Sequence, residues 1–281
     1  MDESSAGPIR IEDIDDPRVE VYRNIRDADL VGRRGVFIAE GKLVVRVLLS
    51  RSRDSGGFRA QSVLVNRSGY ESMADALVGL GPGRPVYVAE QGVLDGIVGF
   101  HIHRGVLACG TREEAPDAET IIACAAPGGG PLVVLEDLAN HDNVGGVFRN
   151  AAAFGSPGVL LTPRCCDPLY RKAIRVSMGC ALTVPYASVA SAARACELLR
   201  ARGWTTLALT PSGDSSELGE TLRTMERVDR LAILLGAEGP GLTREAMDAA
   251  DHRVRIAIAE GVDSLNVAVA GAVAMHAIYS R

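Results

Sequence analysis

The sequence predicts an α/β protein: a larger C-terminal region built on a parallel sheet, preceded by a smaller α/β module. Two observations carry this. Bounded apolar runs of strand length recur after residue 131 with helical stretches between them, and a polar segment rich in proline and glycine separates this part from the chain before it.

In the first region Val19 to Leu30 reads as a helix, followed by Arg33-Arg34-Gly35 and the apolar run Val36–Ala39. Leu43–Leu49 is a second helical candidate, and Val63–Val65, Val86–Val88 and Val106–Ala108 read as short strands. The segment from Thr111 to Asp117 is polar, and Pro127-Gly-Gly-Gly-Pro131 breaks any regular element. The expected organisation is a domain over 1–112, a linker over 113–131 and a second domain over 132–281.

The second region opens with Leu132–Leu135, an unbroken apolar run of the kind a buried parallel strand shows. Similar runs follow at 158–161, 206–209, 231–235 and 254–256. Helical stretches are expected at 144–154, 168–176, 188–202, 243–249 and 264–279, which places helices on both faces of the sheet.

Composition narrows the function classes. The chain has 281 residues and a net charge of −5, so it is no general polyanion binder; an RNA partner would have to meet locally concentrated basic residues. Lys42 and Lys172 are the only lysines, the other basic residues being arginine. No apolar run reaches the roughly 18 residues of a membrane span, and the acidic, polar start is unlike a signal or transit peptide. A cytoplasmic location, with no membrane contact, is the default expectation. The six cysteines form no C-x-x-C pair and are read as reduced, buried thiols. No metal site is expected; His101 and His103 alternate like ordinary strand residues.

Three clusters fall where a strand gives way to a loop or helix, the edge at which open α/β sheets bind ligands. The first runs from Asn140 to Gly155. Asp142 and Asn143 can cap the following helix, Gly145-Gly146 permits close backbone approach, and Arg149 lies on the helix near its start. By pattern this is either a capped helix with a surface arginine or a ligand loop. The second, Leu234–Leu242, sets glycines around Glu238, and is neither a G-x-G-x-x-G signature nor a P-loop. In the third, from Ile256 to Gly271, Ser264 or Asp263 can cap a helix whose small-residue surface suits packing against a neighbour. Asn266 there is either a cap or a ligand contact.

Taken together, Asn143…Arg149, Gly236-x-Glu238-Gly239 and Ser264-Leu265-Asn266-Val267 resemble the three signature motifs of the SpoU/TrmH methyltransferases, in the SPOUT superfamily. The resemblance covers 132–281. Between the first two motifs, Asp167–Pro185 is similar to the family's middle segment; there Arg171, Lys172 and Arg175 are either a phosphate grip or a solvated helix face, with Ser177 beginning the next turn. The stretch from Arg23 through Arg33 and Arg34 to Gly41 is similar to the opening of the ribosomal-protein-like domain that many members carry in front. Where many members have glycine before the motif-one asparagine, this chain has Asp142.

The resemblance implies a homodimeric enzyme with a trefoil knot in its C-terminal domain. It implies methyl transfer from S-adenosyl-L-methionine to a ribose 2′-hydroxyl of RNA, rRNA ahead of tRNA, with RNA contacts at Arg33, Arg34, Arg171, Lys172, Arg175 and Ser177. It places the cofactor against Leu209, Thr210, Gly236, Ile256, Ile258 and Leu265, with no metal. It assigns catalysis to Arg149, assisted by Asn143, Glu238, Asn266 and Ser264. A guanidinium stays protonated, so Arg149 is expected to stabilise the developing alkoxide and grip a phosphate rather than take the proton. The competing readings are a non-catalytic RNA-binding protein of the same fold, and a nucleotide-dependent enzyme such as a dehydrogenase. The missing G-x-G-x-x-G after the first strand of the second region opposes the latter.

Overall fold

The structure is a computed structural model that describes all residues except 1–6, 24–29, 32–34, 54–56, 79, 81–82, 104, 114 and 226–228. In chain order it begins with β1 (Ile9–Ile11), β2 (Val36–Glu40), α1 (Lys42–Arg53), β3 (Phe58–Val65), α2 (Arg67–Leu77), β4 (Val86–Ala89), α3 (Gln91–Val98) and β5 (Val106–Arg112). Next come α4 (Ala118–Cys124), β6 (Leu132–Leu135), α5 (His141–Ala153), β7 (Val159–Leu161), α6 (Arg171–Val176), β8 (Tyr186–Ser188) and α7 (Ala192–Arg200). The last part holds β9 (Thr205–Leu209), β10 (Ser216–Glu217), α8 (Leu218–Thr224), β11 (Leu231–Leu235), α9 (Arg244–Ala249), β12 (His252–Arg255) and α10 (Val267–Tyr279).

The chain forms two compact units. One comprises residues 1–114 with 169–183, the other 115–168 with 184–281. The excursion of 169–183 differs from the expected single block over 132–281. Its physical cause lies in α6, whose Arg171 and Arg175 pair with Glu40 at the end of β2 (3.2 and 3.3 Å), and in Gly179, which packs against Val47 of α1.

The first unit is a mixed five-stranded sheet in the order β1-β4-β3-β5-β2, with β5 antiparallel to both β3 and β2. The apolar runs at 36–39, 63–65, 86–88 and 106–108 all lie in strands. Of the helix expected over Val19–Leu30, residues 24–29 lie outside the described ones. Before them Pro17–Tyr22 is a 3₁₀ helix started by Asp16, whose side chain accepts from the Arg18 N–H. Its three-residue period puts Val19 and Tyr22 on one buried face. The Tyr22 hydroxyl meets the Ser62 hydroxyl at 2.7 Å and accepts from the Cys109 N–H at 3.1 Å, so burial leaves no polar orphan there. His101 and His103 are not strand residues. They stand exposed in the turn between α3 and β5, because Gly99 closes α3 in the left-handed conformation (φ 84°) and β5 begins only at Val106.

The second unit carries a seven-stranded sheet in the order β10-β12-β9-β11-β6-β7-β8, all pairs parallel. Leu132, Val134, Ala232 and Leu234 face a core shared with α4 and α7. The alternating Val133, Leu135, Ile233 and Leu235 are equally buried, and α10 lies over that second face, where Gly271 allows the Leu235 side chain to approach. The span expected as a linker therefore contains a core helix. Asp117 caps α4 by accepting from the Thr120 N–H, and Ile121 and Ile122 sink into the core. No described helix is long and apolar enough to cross a membrane.

The six cysteines are free, and Cys109, Cys166 and Cys196 are buried whereas Cys124 is exposed. Burial pushes the Cys109 thiol up to about 11 and, aided by Cys165 beside it, the Cys166 thiol up to about 12. The thiolate is the nucleophile. Iodoacetamide at pH 8 should therefore alkylate Cys124 in the native protein, and Cys109, Cys166 and Cys196 only after unfolding. Peptide mass mapping with and without denaturant reads this directly.

Candidate active site

Three neighbouring parallel strands, β12, β9 and β11, end at a common cavity of about 370 Å³ in the second unit. This is the carboxyl edge of the sheet, where side chains and main-chain groups of successive loops converge. Leu209 and Thr210 enter from the end of β9, Leu235 and Gly236 from β11, and Ile256 and Ile258 from the segment after β12. Ser264, Leu265 and Asn266 supply the wall leading into α10. All six residues that the resemblance nominates for the cofactor thus line one cavity, together with Glu238, Ser264 and Asn266 from its catalytic set.

The loop after β11 is drawn tight by glycines. A Cβ on Gly236 would stand 2.3 Å from the Gly241 carbonyl carbon and 2.3 Å from the Leu242 nitrogen, both backbone atoms that cannot step aside. The turn is closed by the Gly241 N–H donating to the Ala237 carbonyl at 3.0 Å, with Gly239 (φ 86°) and Gly241 (φ 72°) in the left-handed region. Below it Glu136, at the end of β6 and only 6% exposed, accepts from both the N–H and the hydroxyl of Thr243 at 2.8 and 2.9 Å. That pair ties the sheet to the start of α9, immediately beyond the loop.

A polar node joins the three motifs. Asn143, 4% exposed, donates through Nδ2 to Glu238 Oε1 and accepts through Oδ1 from Asn266 Nδ2 at 2.9 Å. Asn266 also reaches Glu238 Oε1 at 3.4 Å, while its own Oδ1 accepts from the Ala268 and Val269 N–H groups at the start of α10. Asn266 is therefore both a helix cap and a cavity residue. Neither Ser264 nor Asp263 caps α10, and neither Asp142 nor Asn143 caps α5. Asn140 does, by accepting from the Asp142 N–H at 2.8 Å, which leaves Asn143 in the first turn and free to turn inward.

Arg149 is not part of this node. Six residues beyond Asn143 on α5, it is displaced by about 9 Å along the axis and points to another side of the helix. It is exposed, does not line the cavity of its own chain, and makes no hydrogen bond or ion pair among the described residues. The nominated RNA residues lie in several places. Arg33 and Arg34 fall outside the described residues, and Lys172 and Arg175 are exposed. Ser177, nominated for RNA by the resemblance, is instead fully buried, donating to the Ile174 carbonyl at 2.9 Å and accepting from the Ala181 N–H, so it organises the α6 turn and has no surface to offer RNA. Sequence reasoning passed over Glu136 and Thr243. A lone carboxylate directly after an unbroken apolar strand was the available signal.

A concave, largely apolar cavity at the strand ends, with a few convergent polar groups at its mouth, defines an α/β domain that holds a small molecule for chemistry. A family model described as the SpoU rRNA Methylase family matches residues 130–276. An uncharacterized tRNA/rRNA methyltransferase of Mycobacterium bovis is 40% identical over 94% of this chain and 89% of its own. An AdoMet-bound rRNA methyltransferase of Sinorhizobium meliloti superposes with a TM-score of 0.78 at 22% identity, over 96% of this chain and 97% of that one. An RNA 2′-O ribose methyltransferase superposes at 0.73 and 22% identity, covering 97% and 98%. The chain belongs to the SpoU rRNA Methylase family of RNA methyltransferases.

The node predicts a stability contrast. Asn143→Ala breaks two hydrogen bonds and strands their partners, and should cost about 2 kcal/mol in urea unfolding. Arg149→Ala, at an exposed position, should change it by no more than about 0.5 kcal/mol.

Proposed function

We propose that this protein transfers a methyl group from S-adenosylmethionine to a ribose 2′-hydroxyl of ribosomal RNA, working as a homodimer in which Arg149 of one protomer serves the cavity of the other. The observation that carries the first half is the cavity itself: motif residues far apart in sequence line one recess of small-molecule size. Its apolar walls suit a purine ring, and Gly236 lets the backbone approach a ligand where a side chain would not fit. When bound, S-adenosylmethionine supplies a methyl group activated on a sulfonium. The family model's description favours rRNA, and the 2′-oxygen is supported by the likeness to an RNA 2′-O ribose methyltransferase.

The residues of this chain then divide the work. Leu209, Ile256, Ile258 and Leu265 exclude water from the donor. Glu238, held by Asn143 and Asn266, presents a fixed carboxylate at the cavity mouth to orient the incoming nucleotide. Arg149 holds the phosphate next to the attacked ribose and stabilises negative charge building on the 2′-oxygen, an electrostatic role suited to a permanently protonated group. The hydroxyl proton leaves to water.

The position of Arg149, exposed and outside its own cavity, supports a site completed by a second copy. So does the distribution of exposed apolar residues. Val269, Val273 and Tyr279 are exposed on α10, and exposed apolar side chains on one helix support packing against a second copy.

Three measurements test this. Gly236→Ala should abolish S-adenosylmethionine binding in calorimetry, whereas Arg149→Ala should retain binding and lose methyl transfer by about a hundredfold or more, as losing one preorganised charge-stabilising group does. Mixing these two inactive variants, with subunit exchange, should restore roughly a quarter of wild-type activity, because random pairing leaves one intact composite site in half the dimers. No restoration would place Arg149 in its own protomer's site. Ribose-methylation mapping of total RNA with and without the gene should reveal one lost 2′-O-methyl mark in rRNA; loss from tRNA would move the substrate, and no loss at all would favour a binding protein.

A further inference from the structure

The turn between α3 and β5 in the first unit presents three rings to solvent, and the catalytic reading does not use them. Phe100 is 39% exposed, and the His101 side chain 60%. His103 is exposed as well, and its ring meets that of His101 edge-to-face at 4.7 Å. Between them Ile102, 2% exposed, anchors the turn in the core. The Arg171 guanidinium lies 4.6 Å from the centre of the Phe100 ring.

This turn is braced. Gln91 Nε2 donates to the Ile102 carbonyl at 3.1 Å and to Asp95 Oδ1 at 2.7 Å. Asp95 accepts from the Ile102 N–H at 3.0 Å and meets His101 Nδ1 at 2.6 Å. Asn66 holds Gln91 in turn, at 2.7 Å. Rings fixed before binding lose little entropy when something stacks on them.

The surroundings are basic. Arg171, Lys172 and Arg175 gather on the short α6, in a chain whose net charge is −5, and Glu40 faces two of them. Exposed aromatic and imidazole rings beside a guanidinium plane and a cluster of cations are what an unpaired base with flanking phosphates requires. A paired base keeps its faces inside the helix and cannot use them.

We propose that Phe100, His103 and the Arg171 guanidinium form a stacking platform for an unpaired base of the substrate RNA, with Lys172 and Arg175 holding the adjacent phosphates. The platform selects looped over duplex RNA. It rests on the reading that this chain modifies RNA, and lies on the unit that does not hold the cofactor cavity.

The test uses the full-length protein in fluorescence anisotropy, with a labelled RNA hairpin carrying a large unpaired loop and a blunt duplex of the same stem. Wild type should bind the hairpin more tightly than the duplex. The Phe100→Ala/His103→Ala double variant should bind the hairpin roughly tenfold more weakly, the scale of one lost stack, with duplex affinity, thermal midpoint and S-adenosylmethionine affinity unchanged. Phe100→Tyr should retain hairpin binding, since it keeps the ring. Unchanged hairpin affinity in the double variant, equal loss on hairpin and duplex, or no RNA binding by wild type would overturn the platform. Hairpin binding intact in a wild-type protein that binds no S-adenosylmethionine would instead refute the methyl-transfer reading and leave the platform standing.

Discussion

Two amides and one carboxylate hold the site together. Asn143 and Asn266 stand 123 residues apart, yet each uses both ends of its side chain: the start of α10 donates to Asn266, Asn266 donates to Asn143, and Asn143 donates to Glu238. The donors run one way, from the positive end of a helix toward a negative charge, so each bond polarises the next. This chain of bonds is possible only because α5 and α10 cross closely. At the crossing a Cβ on Gly146 would come within 2.9 Å of the Ala268 methyl, and Asn150 Nδ2 reaches the Ala268 carbonyl at 2.8 Å. A larger residue at 146 would push the helices apart and open the node.

The electrostatics fit an RNA enzyme of negative net charge. Many arginines are already matched: Arg46 to Asp75, Arg59 to Glu113, Arg200 to Asp251, and Arg253 to both Asp214 and Asp248. The Arg46 pair draws Asp75 down to about 2, and the Arg59 pair lowers Glu113. Such arginines brace the fold and offer little net attraction to phosphate. Arg149, by contrast, makes no ion pair among the described residues, and on α6 Lys172 adds a cation beside Arg171 and Arg175, the two that share Glu40.

The second unit was the more legible of the two. Its strands are buried on both faces and so appear as unbroken apolar runs, while the first unit's elements are mixed in character. There β1 is three residues long, and the buried stripe of α2 (Arg67–Leu77), formed by Gly69, Met73, Ala76 and Leu77, carries only two large side chains. The cap of α5 is ambiguous for a related reason, whereas Asn266, read as a cap or a ligand contact, does cap α10. Asn140, Asp142 and Asn143 are all competent cap residues, and residue type alone does not choose Asn140 among them.

Local chemistry by itself determined much: bounded, unbroken apolar runs with helical stretches between them pointed to the parallel sheet, glycines marked the tight loop after β11, and three spaced motifs pointed to the family. Tertiary structure alone decided that Asn266 is cap and cavity wall at once, that Ser177 is buried, that 169–183 joins the first unit, and that Arg149 is exposed and outside the lining of its own cavity. These are relations between distant segments. Hydrogen-bond partners and burial depend on the three-dimensional crossing of elements, which residue spacing along one segment does not contain.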